Sequence, residues 1–140
     1  IDMMALLESI RDDFNDSGYT VQFEGEIIET FSGKPLSLKR CIINLVENGI
    51  RYGEKVEIYL QDKNDELTII ICDNGPGIPD ELHEKVFSPF YRLESSRAKN
   101  TGGTGLGLGI ARNIARAHGG DILLSNQASG GLCVTLKLPR

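Results

Sequence analysis

The stretch from Pro35 to Tyr52, PLSLKRCIINLVENGIRY, constrains the fold most, because it reads as an enclosed helix that nevertheless carries two asparagines. Leu38, Cys41, Ile42, Leu45 and Gly49 recur at three- and four-residue intervals, and Ile43, Val46 and Ile50 widen the apolar surface beyond one stripe. Pro35 suits the first turn of such a helix and Gly53 its end. Asn44 and Asn48 stand one turn apart on the remaining face, and Arg51 and Tyr52 follow three and four residues after Asn48. A buried carboxamide costs about 1 to 3 kcal/mol unless something hydrogen-bonds or coordinates it. Two partners are open: nearby backbone, which usually satisfies buried polar groups, or a ligand.

The chain has 140 residues, 40% hydrophobic and 25% charged, as expected of a single domain over 1–140 that buries a core. Its net charge of -5 speaks against an unaided nucleic-acid surface, so any phosphate site must be local. Cys41, Cys72 and Cys133 lie in apolar periodic segments without CxxC spacing. That speaks against a metal cluster or a disulfide framework and for a reducing, cytosolic setting. No apolar run approaches the roughly 18 residues of a membrane span, and no signal-peptide pattern opens the chain. The start at Ile1, without a methionine, suggests an excised fragment.

Around the asparagine helix, residues 2–15 predict an amphipathic helix with Met3, Leu6, Leu7, Ile10 and Phe14 on one face. TVQFEG and EIIETFSG predict a small hairpin turned at Gly25. Val56 to Gln61 alternates and reads as a strand with one solvated face; Leu67 to Cys72 is apolar on both faces and reads as central. That strand runs into DNGPGIP, Asp73 to Pro79, a rigid turn with close backbone approach that could also be a plain strand-ending loop. A short helix over 80–86 leads into FSPFYR, Phe87 to Arg92, and residues 93–104 have no apolar period. A loop of that length is usually functional or mobile. It closes in GGTGLGLG, which opens a helix with Leu106, Ile110 and Ile114 on one side and a stop at Gly119 and Gly120. Glycines at a helix start admit an anion to the backbone N–H groups and the helix dipole. DILLSN, the turn QASGG and LCVTLKLP predict a C-terminal hairpin.

Magnesium with a nucleoside triphosphate explains the unusual segments together. Magnesium keeps several waters beside the phosphates, so a carboxamide oxygen from Asn48 is a reasonable ligand. Asp73 can accept from a purine's exocyclic amine, with Tyr52 and Ile78 as apolar faces. Arg92, Arg97 and Lys99 against Glu94 give the loop a local positive excess in an acidic chain.

In order, NLVENGIRY, DNGPGIP, FSPFYR and GGTGLGLG resemble the N box, first glycine box, F box and second glycine box of sensor histidine kinase catalytic domains. These belong to the Bergerat-fold ATPases, with the Hsp90 chaperones, type II topoisomerases and MutL proteins. Each motif is loose alone; all four in order are specific, and the resemblance covers about residues 19 to 139.

The resemblance implies an α/β (α+β) two-layer sandwich: a mixed, mostly antiparallel sheet packed on helices, with ATP beneath a mobile lid over 87–104. Asn48 matches the magnesium ligand, Asp73 the carboxylate that reads adenine, Tyr52 an aromatic against adenine, and Arg51 the basic position near the phosphates. Gly75, Gly77 and Ile78 belong to the first glycine box, and Gly103, Gly105 and Gly107 to the phosphate-side box. Thr101, Thr104, Leu106 and Leu108 from the same segment are also expected at the nucleotide. Phe87, Phe90 and Arg92 fall in the F box, and Arg92 or Arg97 is the expected cation for the transferring γ-phosphoryl group. Gly49 and Gly109 stand where alanine is frequent in the family.

In the hydrolysing relatives a glutamate four residues before the magnesium asparagine activates water. Asn44 stands there instead, and an amide cannot accept that proton, which favours transfer over hydrolysis. Glu47 is about 100° around the helix from Asn48 and is a poor substitute. Neither His83 nor His118 is expected to be the acceptor; His118 suits a helix end. The resemblance places the acceptor histidine on a dimerising helical domain preceding this fragment, with residues 1–18 as the connecting helix. It further implies a cognate response regulator, a cytoplasmic domain without membrane contact of its own, and a parent protein anchored in the bacterial cell membrane. A non-catalytic nucleotide-responsive module and an ATPase of the same fold are the alternatives.

Overall fold

The computed structural model describes residues 1–63, 65–88 and 107–140. Five strands form one sheet, β1 (Thr20–Glu24), β2 (Lys55–Asp62), β3 (Glu66–Asp73), β4 (Asp121–Asn126) and β5 (Leu132–Pro139), in the order β1-β2-β3-β5-β4. β1 runs parallel to β2 and every other pair is antiparallel, which is the expected mixed sheet with the apolar β3 at its centre. Val56, Ile58 and Leu60 of β2 are buried while Lys55, Glu57 and Tyr59 between them are not, so one face is covered and the other is wet. The covered face packs on three helices, α1 (Met3–Asp16), α2 (Pro35–Tyr52) and α3 (Gly107–Ala117).

The helices form where the apolar period predicts. In α1 Met3, Leu7 and Ile10 are buried, and Asp2 caps the start by accepting from the Ala5 N–H at 3.0 Å. α2 has the predicted bounds and buries Leu38, Cys41, Ile42, Leu45, Val46, Asn48 and Gly49. In α3 the buried stripe is Leu108, Ala111 and Ala115, with Ile110 and Ile114 only partly covered, so the face differs from the one expected. The small Ala111 lets α2 approach closely enough for the Cys41 thiol to donate to its carbonyl at 3.4 Å. Burial pushes that thiol up to about 12, so it stays protonated and inert.

Three other expectations are corrected. The hairpin at Gly25 does not form: residues 26–34 contain no strand, and β1 pairs with β2 instead. Gly25 has φ +96°, and a Cβ there would collide with the Leu60 carbonyl, so it turns the chain out of the sheet. The irregular link that follows is tied down by Arg140, which forks onto Asp62 at 2.8 and 2.9 Å and donates to the Thr30 carbonyl at 2.9 Å. The short helix over 80–86 is two 3-10 turns, Asp80–Leu82 and Lys85–Phe87. Cys72 and Cys133, directly opposite each other on β3 and β5, form a disulfide, against the expectation that the cysteines form none. Gly53 ends α2 as expected, in an extended conformation, φ -128°. It is small because Asn74 Oδ1 lies 2.8 Å from where its Cβ would be.

Close packing also explains both helix glycines. A Cβ on Gly49 would lie 2.9 Å from Val56 Cγ2, and one on Gly109 would lie 2.6 Å from the Phe87 carbonyl oxygen. Gly109→Ala therefore gains about 1 kcal/mol of helix propensity but must displace backbone. The expected net loss is about 1 to 3 kcal/mol, read as a lower urea midpoint at unchanged slope. A raised midpoint would contradict this packing.

Candidate functional site

The C-terminal end of β3, the last turns of α2 and the start of α3 converge at one end of the sandwich. Asp73, the last residue of β3, is 5% exposed and lies under α2, where Gly49 would place a Cβ 3.6 Å from its own Cβ. Its Oδ1 accepts from the Gly75 N–H at 2.8 Å and the Leu132 N–H at 3.3 Å; Oδ2 has no such bond among the described residues. Burial raises its pKa against these two amides, which pull it down. The carboxylate is thus held in one orientation with one oxygen to offer a ligand.

Asn48, one residue before Gly49, is also 5% exposed, whereas Glu47 is fully on the surface side. The Nδ2 groups of Asn44 and Asn48 are both buried and find no acceptor among the described residues. No described backbone carbonyl satisfies either Nδ2, which speaks against the reading in which nearby backbone pairs them. Gly107 opens α3 beside this ridge, its Cβ position 3.9 Å from Asn44 Cβ. Arg51 and Tyr52, in the last turn of α2, are half-buried.

The first glycine box lies across the same end. A Cβ on Gly75 would collide with the Tyr52 carbonyl, so the turn is laid directly on the end of α2. Asn74 fixes its other side, its Oδ1 accepting from the N–H groups of Glu54 at 2.7 Å and Lys55 at 3.1 Å. Gly77 has φ +78°, a conformation that favours glycine, and Ile78 after it is 3% exposed. Leu108 is 7% exposed within the core, and Phe87 is half-buried with the Arg112 guanidinium 4.2 Å over its ring.

Asn44, Asn48, Gly107, Asp73, Gly75, Gly77 and Ile78 are therefore brought to one end of the fold. Phe90, Arg92, Glu94, Arg97, Lys99, Thr101, Gly103, Thr104, Gly105 and Leu106 lie outside the described residues.

Some supporting residues escaped the sequence reading. Asn126, at the end of β4, accepts from the Ile78 N–H at 2.9 Å and donates to the Ile78 carbonyl at 2.7 Å and to Asp80 at 3.1 Å. Gln127 donates to the Asp73 carbonyl at 3.1 Å. Arg112 pairs with Glu84 at 3.1 Å and Asp121 at 3.4 Å while covering Phe87, joining the F-box start to α3 and β4. The only available signal was the polar SNQ at the end of a strand otherwise apolar at its centre. Both histidines are engaged: His83 Nε2 donates to the Ile78 carbonyl at 2.8 Å, and His118 donates through Nδ1 to the Ile114 carbonyl at 2.9 Å while Nε2 accepts from Lys34.

This geometry coincides with a known family. Residues 33–140 match the model described as histidine kinase-, DNA gyrase B-, and HSP90-like ATPase. The sensor histidine kinase GtrS of Pseudomonas aeruginosa is 44% identical over all 140 residues, which span 28% of that protein. The signal transduction histidine-protein kinase BaeS of Escherichia coli is 34% identical over 99% of this chain and 31% of its own length. Among solved structures, the nucleotide-free catalytic domain of the histidine kinase ThkA superposes with a TM-score of 0.82 at 29% identity, covering 99% of this chain and 93% of that one. The chain belongs to the histidine kinase-, DNA gyrase B- and HSP90-like ATPase family, in the branch of sensor histidine kinase ATP-binding catalytic domains. It spans less than a third of the length of these curated relatives.

Proposed function

We propose that this domain transfers the γ-phosphoryl group of Mg-ATP to a histidine on a dimerisation domain outside the 140 residues, for onward transfer to a response regulator. The observation that carries the reading is the pair of buried Nδ2 groups of Asn44 and Asn48, without an acceptor among the described residues, beside a carboxylate whose other oxygen is aimed by two amides. Asp73 Oδ2 accepts from the adenine amine. Ile78 and Tyr52 border the base, and Gly75 and Gly77 let the backbone approach it. Asn48 fits magnesium by its chemistry: a neutral oxygen donor suits a hydrated cation held mainly by phosphates, and phosphate or water oxygens can accept from its orphaned Nδ2. Bound there, magnesium would neutralise charge on the β- and γ-phosphates. Arg51 and, by motif position, Arg92 or Arg97 supply further positive charge, with Thr101 to Leu106 and Gly107 on the phosphate side. The acceptor imidazole forms its P–N bond as the bridging P–O bond breaks and ADP leaves.

Asn44 has no carboxylate, and Glu47 is exposed while Asn48 is buried, which speaks against an activated water at this ridge. Incubated alone with Mg-ATP, the chain is expected to bind nucleotide, release little phosphate and carry no label on His83 or His118. Rapid phosphate release without an acceptor would turn the reading to hydrolysis. By the same reading the fragment is a cytoplasmic part of a membrane-anchored protein, with α1 arriving from the dimerisation domain.

A further inference from the structure

We propose that Asn126 is a positioning residue for adenine recognition, acting through the backbone of Ile78. The inference rests on the reading that Asp73 and the first glycine box bind the base of ATP.

The glycine box leaves β3 at Asp73 and crosses the end of the sandwich through two glycines and two prolines. Prolines donate no backbone hydrogen bonds and glycines bring no side chains, so the loop has little of its own to hold it. Asn74 ties its middle to the start of β2 and His83 bonds the Ile78 carbonyl, but the bonds at both of its ends come from the turn between β4 and β5 and the residues flanking it. At one end of the loop the Leu132 N–H bonds Asp73 Oδ1 and Gln127 bonds the Asp73 carbonyl. Gly131, at φ +96°, has no Cβ to collide with that carbonyl. At the other end the Asn126 carboxamide takes both the N–H and the C=O of Ile78, as a neighbouring strand would, and its second N–H reaches Asp80. Gly77 makes room, since its Cβ would lie 2.6 Å from Asn126 Oδ1.

The turn between β4 and β5 with its two flanking residues, Asn126 and Leu132, therefore holds both ends of the segment that carries the adenine carboxylate and the apolar Ile78. Only a carboxamide of this length offers an acceptor and donors together: aspartate lacks the N–H groups, and alanine lacks everything. Without Asn126 the Asp73 end remains held, while Ile78 loses the bond to its N–H and keeps only the His83 bond to its carbonyl, so the distance between carboxylate and apolar wall is less firmly set. Geometry of this kind governs affinity for the base and leaves phosphate contacts alone.

The test compares the 140-residue chain with Asn126→Ala and Asn126→Asp, measuring Mg-ATP and Mg-GTP binding, thermal midpoint, and amide exchange of residues 74–80 without nucleotide. Both variants are expected to bind Mg-ATP about tenfold more weakly, to lose part of the preference for ATP over GTP, and to exchange faster over 74–80. Asn126→Asp keeps an acceptor for the Ile78 N–H, so it remains informative if Asn126→Ala does not fold. A lower midpoint with ATP affinity, base preference and 74–80 exchange unchanged would overturn the inference and leave a purely structural asparagine. Wild-type protein that binds no ATP would instead overturn the functional reading, and the inference with it.

Discussion

Asp73→Asn is expected to weaken ATP binding by about a hundredfold while leaving the chain folded, because the change keeps the shape and inverts one hydrogen bond. Oδ1 is held by the Gly75 and Leu132 amides, so the substituted carboxamide must keep its oxygen there. Its NH2 then takes the place of Oδ2, and a donor faces the donor amine of adenine. Losing a charge-assisted hydrogen bond costs about 1.5 to 3 kcal/mol, and two opposed donors in a buried site add to it. Stability moves the other way. Burial is the larger influence on Asp73 and holds its pKa above the ordinary carboxylate value. A carboxylate raised on folding weakens the fold once pH exceeds its unfolded pKa, and that penalty disappears as pH falls through the raised folded value. The neutral Asp73→Asn chain should therefore be as stable as wild type near neutral pH, or more so. Equilibrium binding of a fluorescent ATP analogue together with urea unfolding checks both halves; a folded variant with unchanged affinity would remove Asp73 from the site.

Asn48→Ala carries the second large effect and separates the metal from the base. Its Nδ2 is buried without an acceptor among the described residues, so truncation should cost the fold less than the loss of a bonded group. Nucleotide binding in magnesium should fall by about tenfold to a hundredfold, the scale of losing one ion-linked contact. The same variant in EDTA should bind ATP nearly as well as wild type does in EDTA. Wild-type and variant affinities that differ equally with and without magnesium would mean that Asn48 does not hold the ion.

How much of this was legible depends on whether the information is local. α2 was readable to its bounds because its apolar period, Pro35 and Gly53 are all within one segment. β2, β3 and the C-terminal hairpin followed from alternation and turn residues, and the nearness of Asn48 and Asp73 at one end of the fold from motifs whose order limits the possible folds. The partner of β1 was not readable, since its parallel neighbour begins at Lys55 and side-chain alternation does not say which strand lies alongside. The Cys72–Cys133 bond is a matter of register between strands 61 residues apart. In α3 the covering element decided the face: α2 accepts Ala111 at close range and leaves the larger Ile110 and Ile114 at the margin. Asn126 is a single polar residue whose meaning exists only once Ile78 is beside it.

Phosphoryl transfer is tested by giving the chain γ-labelled ATP and magnesium with and without the helical acceptor domain of its own parent protein. The expected result is label on the acceptor that is acid-labile and base-stable, absent when the acceptor is omitted and absent with Asn48→Ala. Nucleotide binding without any transfer to that acceptor, or free phosphate released at the same rate whether or not it is present, would contradict it.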